Sequence, residues 1–394
     1  MGAGNPRPTE ALVERVLSPE GIVVAGTLSG TSVDGIDVAL ARVRGEADPN
    51  ELPVLVETLA FDTFDFEREL ASRVAAAIDG RALAPAELAR LDRDLGEAFA
   101  RAVDELARSS GRRPALVGSH GQTIAHFDGA DEPPWSLQLG RPESIAHRLG
   151  CPVVADFRQA DVARGGEDAP LVPLVDRALF RGLEPPAAIL NLGGIANLTL
   201  LDSLGATGFD VGPANAWLDG WARRLLGETF DADGRVAAAG RVHEPSVEAW
   251  LAHPYYALEP PKSTGRDTFG STWLDGLLSE SALREPADLL ATAAASVAES
   301  VARALDRWRP AGNAPARLVL AGGGVHHRPL VVELARRTGL EPESATELGI
   351  EPDAREALAF ALLAVQAVLG RPLGLPPVTG ADASAVLGRW YWGS

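Results

Sequence analysis

The chain has 394 residues, 46% of them hydrophobic, which is too long for one ordinary core and ample for two. Its formal net charge of −18 repels nucleic acid and anionic membrane surfaces, and no apolar run reaches the roughly 18 residues that a membrane span needs. The single cysteine, Cys151, excludes an internal disulfide, and the first 20 residues lack the apolar stretch of a signal peptide, so a reducing, cytoplasmic location is expected.

Taken in chain order, apolar runs predict strands over 22–28, 38–43, 54–61, 115–118, 152–155, 187–192, 198–201 and 317–321. Helices are predicted between them. The clearest is 85–109, where Leu88, Leu91, Leu95, Phe99, Val103 and Leu106 recur at helical spacing, Pro85 suits the first turn and Gly111 lies just past the end. Others fall at 142–149, 171–181, 215–226, 286–308, 329–338 and 354–369. Hairpins followed by alternating strands and helices predict an α/β fold with a mixed sheet. The division expected is a loose extension over 1–20, a first α/β domain over 21–135 and a second over 136–369. The segment from about 370 to 394 is expected to pack back on the first. The turn-rich stretch 128–134 marks the boundary.

The segment from Gly26 to Leu40 carries the most chemistry. Six small or hydroxylic residues lie among the eight from Gly26 to Val33, and a carboxylate, Asp34, follows. Backbone N–H groups in such a turn can cradle phosphate, and the carboxylate can hold Mg²⁺ against it; a polar hairpin turn is the plainer alternative. Gly193-Gly194 forms a second glycine turn between strands, and Gly322, Gly323 and Gly324 end a strand before a helix. Either fits phosphate or a ligand ring approaching the backbone, and either is also an ordinary turn. Asp210 closes a strand ahead of Pro213, where it reads as a general base, a metal ligand or a helix-capping carboxylate. His120 in Ser119-His120-Gly121-Gln122-Thr123 can hold a polar substrate or be structural, and Asp156-Phe157-Arg158 reads equally as a salt bridge.

Some chemistries are eliminated. Lys262 is the only lysine among 36 basic residues, and it follows Pro261, so neither a Walker A loop nor a protein-kinase lysine exists here. With Pro261 and Ser263 as neighbours, it is expected on an exposed loop with an ordinary pKa. No His-Glu-x-x-His occurs, and seven histidines with one cysteine give no zinc cluster.

Together, SGTSVDGID, SHGQT, ADFR with its GG and APLVP, NLGGIANLT, GFDVGPANAWLD, PKSTGRD, AGGGV and EALAF resemble, in order, the anhydro-N-acetylmuramic acid kinases. The resemblance spans roughly Gly26 to Leu387. It implies two ribonuclease-H-like domains of the sugar-kinase, Hsp70 and actin superfold around an ATP cleft. It makes Gly30, Thr31, Ser32, Val33, Asp34, Gly35, Ile36 and Asp37 the first phosphate loop, with Asp34 toward Mg²⁺. It makes Asn191, Gly193, Gly194 and Asn197 the second loop, and Gly322 to Gly324 part of the adenosine loop. Asp210 becomes the catalytic base, with Glu356 also catalytic; His120, Gln122, Thr123, Asp156, Arg158 and Asn215 are assigned to the sugar. The implied reaction opens 1,6-anhydro-N-acetylmuramic acid with water and phosphorylates O6 from ATP, in wall recycling, and the implied assembly is a homodimer.

Five positions depart from the family pattern: Glu167 and Asp168 after the glycine pair, Val211 and Ala214 in the catalytic turn, and His327 after the adenosine loop. Two added carboxylates near the sugar are expected to repel a lactyl carboxylate, and Val211 to remove a hydroxyl beside the base. A kinase for another anhydro sugar, such as levoglucosan, and a catalytically silent nucleotide-binding protein are the alternatives.

Overall fold

The apolar runs on either side of the two glycine turns pair as antiparallel strands, and each pair begins a sheet. The computed structural model describes residues 8–127, 133–203, 205–308 and 314–393. Its strands are β1 (Ile22–Ser29), β2 (Ile36–Arg44), β3 (Val54–Phe64), β4 (Leu116–Phe127), β5 (Trp135–Leu139), β6 (Val153–Ala155), β7 (Ala187–Leu192), β8 (Ile195–Leu201), β9 (Ala206–Pro213), β10 (Arg317–Ala321), β11 (Pro342–Ser344) and β12 (Arg389–Tyr391). They form two sheets, β3-β2-β1-β4-β6-β12 with β5 beside β4, and β9-β8-β7-β10-β11. In each, an antiparallel three-strand meander is followed by two strands parallel to its first member. The order is that of a ribonuclease-H-like domain, and it occurs twice.

Two units follow from these sheets. The first takes the chain through Leu179, together with Ala354–Pro376 and the segment from Gly380; the second takes Phe180–Asp353 and Pro377–Thr379. The expected boundary near 136 lies at Leu179 instead, because β5 and β6 both pair with β4 and hold their segment in the first sheet. The turn expected to mark that boundary falls mostly on 128–132, outside the described residues. The C-terminal strand β12 does return to the first sheet, against β6. The extension expected to be loose is helical over Pro8–Val16, where Leu12 and Val16 are buried.

In the first unit the helix Pro85–Ser109 packs Leu91, Leu95, Phe99 and Val103 against Val38, Leu40 and Val117 of the sheet. Side chains alternate along a strand, so Gly26 and Gly118 face the other side, where the helix Arg355–Val368 lies. In the second unit the core gathers Trp217, Trp221, Trp250 and the long helix Pro286–Trp308 against β7–β10. No helix among the described residues is long and apolar enough to cross a membrane.

Candidate active site

The candidate residues divide between the units, and each set is built on its own strands and the turns that join them. In the first unit, β1 and β2 are joined by the loop Gly30–Gly35. Val33 donates its N–H to Gly30 O at 3.2 Å and adopts a φ of 59°, a left-handed turn. Thr31, Ser32 and Asp34 are exposed. Gln122 of β4 donates to Gly30 O at 3.2 Å, so the loop is tied to the neighbouring strand. The side chain of Ile36, expected at the cofactor, is buried in the core, leaving only its backbone for a ligand. Asp37 accepts a 2.7 Å hydrogen bond from Thr63 Oγ1 on β3. Packing against β3 also restricts Gly35, since a Cβ there would sit 2.5 Å from Thr63 Cγ2.

His120, Gln122 and Thr123 lie on β4 and are buried. Arg158 donates from Nε to His120 Nε2 at 2.7 Å, which leaves the proton on His120 Nδ1, 3.2 Å from Gly121 O. Burial, and then the Arg158 charge, push the His120 pKa down to about 3. This histidine is therefore a neutral, oriented group and not a base at neutral pH. Arg158 continues to Asp168, with Nη1 2.9 Å from its backbone O and 3.3 Å from Oδ2, and His126 Nδ1 lies 3.1 Å from the same carboxylate. Asp156 takes a different partner, the hydroxyl of Tyr391 on β12. His120, Asp156, Tyr391, Asp92 and Arg141 line a cavity of about 240 Å³ within this unit. Glu356 occupies the first turn of Arg355–Val368 and is partly buried.

In the second unit the sheet register sets three polar residues side by side. Asn191 on β7 is paired with Asn197 on β8, which is paired with Asp210 on β9. Directly paired residues point to one face, so two amides and a carboxylate form a row. The carbonyls of the Gly193-Gly194 turn accept N–H bonds from Ala214, Asn215 and Ala216 at the start of the helix Asn215–Leu226. Asn215 Nδ2 adds a bond to Leu192 O at 2.9 Å. Gly322 and Gly324 are needed for internal packing, since a Cβ at either would lie 3.0 Å or less from Leu192 or Asn191 atoms. Gly193, Gly194 and Gly323 have no neighbour nearer than 3.4 Å on that side, so these three leave room for a ligand.

Asp210 lies on the edge strand β9 and is 6% exposed. Its N–H donates to Lys262 O at 3.0 Å, its C=O accepts from Tyr255 OH at 2.8 Å, and its Oδ2 accepts from Thr264 N at 3.1 Å. Near it, Asn197 Oδ1, Ser263 Oγ and Thr264 Oγ1 are buried polar atoms without a hydrogen-bond partner. Such groups are costly unless something polar meets them. Sequence reasoning missed Tyr255 and Thr264 as neighbours of Asp210. The motif PKSTG was visible, but no spacing connects it with β9.

Lys262 corrects an expectation. It is buried, with Nζ 3.3 Å from Tyr255 O and 4.4 Å from the centre of the Tyr255 ring. Burial lowers its pKa to about 8 against the opposing pull of Asp210. A local pattern of prolines and hydroxyls reads as exposed, but an aromatic face and a carbonyl lying seven residues away enclose the side chain.

The family departures also read differently in three dimensions. Val211 and Ala214 are buried in the second unit's core. Val211 thus fills core volume. His327 caps the helix Arg328–Thr338, its Nδ1 accepting from Leu330 N at 3.3 Å. Asp168 is fully buried and held by Arg158 and His126, so it is not a free negative charge awaiting a ligand.

Among the described residues no group of three or more His, Cys, Asp or Glu side chains can hold a metal ion. An exposed Asp34 among Thr31 and Ser32 fits Mg²⁺ bound mainly through phosphate and water, the usual arrangement at phosphoryl-transfer sites.

A family model, anhydro-N-acetylmuramic acid kinase, matches residues 22–393. A protein of that name from Xanthomonas oryzae pv. oryzae is 42% identical over 378 residues, covering 94% of this chain and 98% of the relative. One from Salinibacter ruber is 40% identical, covering 93% and 95%, and one from Rhodospirillum rubrum is 41% identical, covering 93% of each. With the match running through both sheets and both glycine turns, this chain belongs to the anhydro-N-acetylmuramic acid kinase family.

Proposed function

We propose that this chain opens the 1,6-anhydro ring of 1,6-anhydro-N-acetylmuramic acid and phosphorylates O6 from ATP, giving N-acetylmuramate 6-phosphate for peptidoglycan recycling. Asp210 takes a proton from water as its oxygen attacks C1; the C1–O6 bond breaks, and O6 accepts the γ-phosphoryl group. The observation that carries this reading is Asp210 itself, fixed on three sides and bordered by unsatisfied polar atoms. A carboxylate whose backbone is held on both sides and whose Oδ2 is held by Thr264 N is positioned to activate a water.

Phosphoryl transfer asks mostly for positioning and charge stabilisation. Gly30–Asp37 with Asp34, and Asn191, Gly193, Gly194 and Asn197, are the loops assigned to the phosphates, with Gly322–Gly324 for the adenosine. Asp34 would hold Mg²⁺, which would supply charge neutralisation at the phosphates. His120, Gln122, Thr123, Asp156, Arg158 and Asn215 are assigned to the sugar and its orientation, and Glu356 to the reacting groups. The reaction is assigned to the cytoplasm and to a homodimer, which light scattering checks.

ADP release coupled to a panel of anhydro sugars tests the function. The muramyl sugar is expected to be used best and levoglucosan poorly. A folded Asp210→Asn variant is expected to lose roughly 10²–10⁴ of the sugar-dependent rate. Turnover of Asp210→Asn near that of the unaltered protein would end its assignment as base.

A further inference from the structure

Residues 255–264 do for β9 what a neighbouring strand does elsewhere. β9 is an edge strand, so one side of Asp210 has no sheet partner. That side is covered by two contacts from this segment, Asp210 N–H to Lys262 O and Tyr255 OH to Asp210 O. Lys262 then closes the arrangement, because its Nζ reaches back to Tyr255 O and lies over the Tyr255 ring. Asp210, Tyr255 and Lys262 thus form a ring of contacts, and Thr264 N adds a bond to the carboxylate. The sheet alone does not explain a buried ammonium at this point. A leucine or methionine would fill the volume without the cost of burying charge.

We propose that Lys262 is a positioning residue for Asp210: it pins the 255–264 segment to the edge of β9 and adds positive charge beside the Asp210 carboxylate. The inference rests on the reading of Asp210 as base and adds a second residue to it. The charges that act on Lys262 are Asp210 from β9 and Arg307 from the long helix Pro286–Trp308, and Tyr255 from the turn at Pro254–Ala257 touches its Nζ. Asp210 is the anionic member of that set, so the ammonium acts on it. Since the Lys262 pKa is lowered to about 8, the charge is present at neutral pH and is withdrawn in mild alkali.

The test is the pH dependence of kcat, followed by ADP release, in the full-length protein and in Lys262→Met, Lys262→Arg, Tyr255→Phe and Asp210→Asn. The unaltered enzyme is expected to lose rate above about pH 8. Lys262→Met should lose at least about tenfold in kcat with KM for ATP unchanged. Its acid limb should move up by about one pH unit, because an opposite charge near a carboxylate lowers the carboxylate pKa. Lys262→Arg, permanently charged, should restore the acid limb and abolish the decline in alkali. Tyr255→Phe should lower kcat without moving the acid limb. An acid limb that stays in place in Lys262→Met overturns the proposal. If Lys262→Met does not fold, an unaltered alkaline decline in Lys262→Arg overturns it instead. Turnover by a folded Asp210→Asn removes the base reading itself. An inactive Asp210→Asn beside an unmoved acid limb in Lys262→Met removes only the role of Lys262.

Discussion

Asp168 holds a φ of 72°, a conformation that favours glycine, and its carboxylate is fully buried. Burial opposes its ionisation, but Arg158, His126 and Ser136 together hold its pKa below the ordinary value. A carboxyl depressed on folding stabilises the protein above its unfolded pKa, and that contribution is lost as pH falls through the folded pKa. Asp168→Asn should therefore cost about 3 kcal/mol at neutral pH, because Arg158 keeps its charge in a half-closed site. In urea titrations the difference from the unaltered protein should shrink as the pH falls below about 4; a difference that persists in acid would exclude the ion pair as its source. Lys262 gives the same sign of slope in a different pH window. The folded protein releases its proton at about pH 8 while the unfolded chain keeps it to about 10.5, so the unfolded chain binds more protons in between and stability rises with pH. Cys151, raised to about 12 by burial, and Tyr256, raised likewise, act against this at higher pH. The rise is thus expected between about pH 8 and 9, present in the unaltered protein and absent in Lys262→Met. Asp210 was singled out by its motif, but it was expected to close a strand and instead lies inside β9, which runs on to Pro213. Tyr255, Lys262 and Asp168 were not legible, because their roles come from partners 7 to 45 residues away.

Elements with strong periodicity were read to the residue, and elements shaped by contact were not. The helix Pro85–Ser109 was given by its leucine spacing and its proline. β4 was expected to stop at 118 but runs to Phe127, because β5 pairs with its polar half. The helix Arg355–Val368 is buried nearly all round, so its sequence offers no polar face from which to orient it. Two glycines orient it. Gly26 and Gly118 are register partners on β1 and β4, and a Cβ on them would lie 1.7 Å from Ala357 O and 2.2 Å from Phe360 O. The helix backbone rests directly on the sheet there, which fixes the height of Glu356 in its first turn. Gly118→Ala should cost more than the 1–3 kcal/mol or so of ordinary overpacking, since backbone and not a side-chain tip must move. Its melting midpoint should drop by at least about 4 °C, and no drop would show that the helix slides at little cost.

At the scale of the molecule, one strand order is used twice, and the chain passes between the two units near Leu179, again near Asp353, and briefly at Pro377–Thr379. Recurrent glycine turns hinted at the duplication; the sequences of the two meanders otherwise share too little for the strand order to be read from them. The first unit closes on itself around a buried pair. Asp176 lies just before the first passage and Arg355 just after the second, both at 0% exposure, with Arg355 Nε and Nη2 2.9 and 2.5 Å from the two carboxylate oxygens. The remaining nitrogen, Arg355 Nη1, is buried without a partner. A buried pair with an unsatisfied donor is poor value for stability, because desolvation offsets its attraction. Its geometric effect is clearer: it joins segments 179 residues apart and so defines where the returning chain enters the first unit. Removing one partner should cost about 3–5 kcal/mol, while replacing both with apolar side chains of similar volume should cost much less. Arg355→Met is therefore expected to be far less stable than the double variant Asp176→Leu/Arg355→Met, compared by urea unfolding. If the double variant matches Arg355→Met in stability, the pair is needed for its charge and not merely for the space it fills. If it recovers stability but loses turnover, the pair is needed to set the entry point of the helix that carries Glu356.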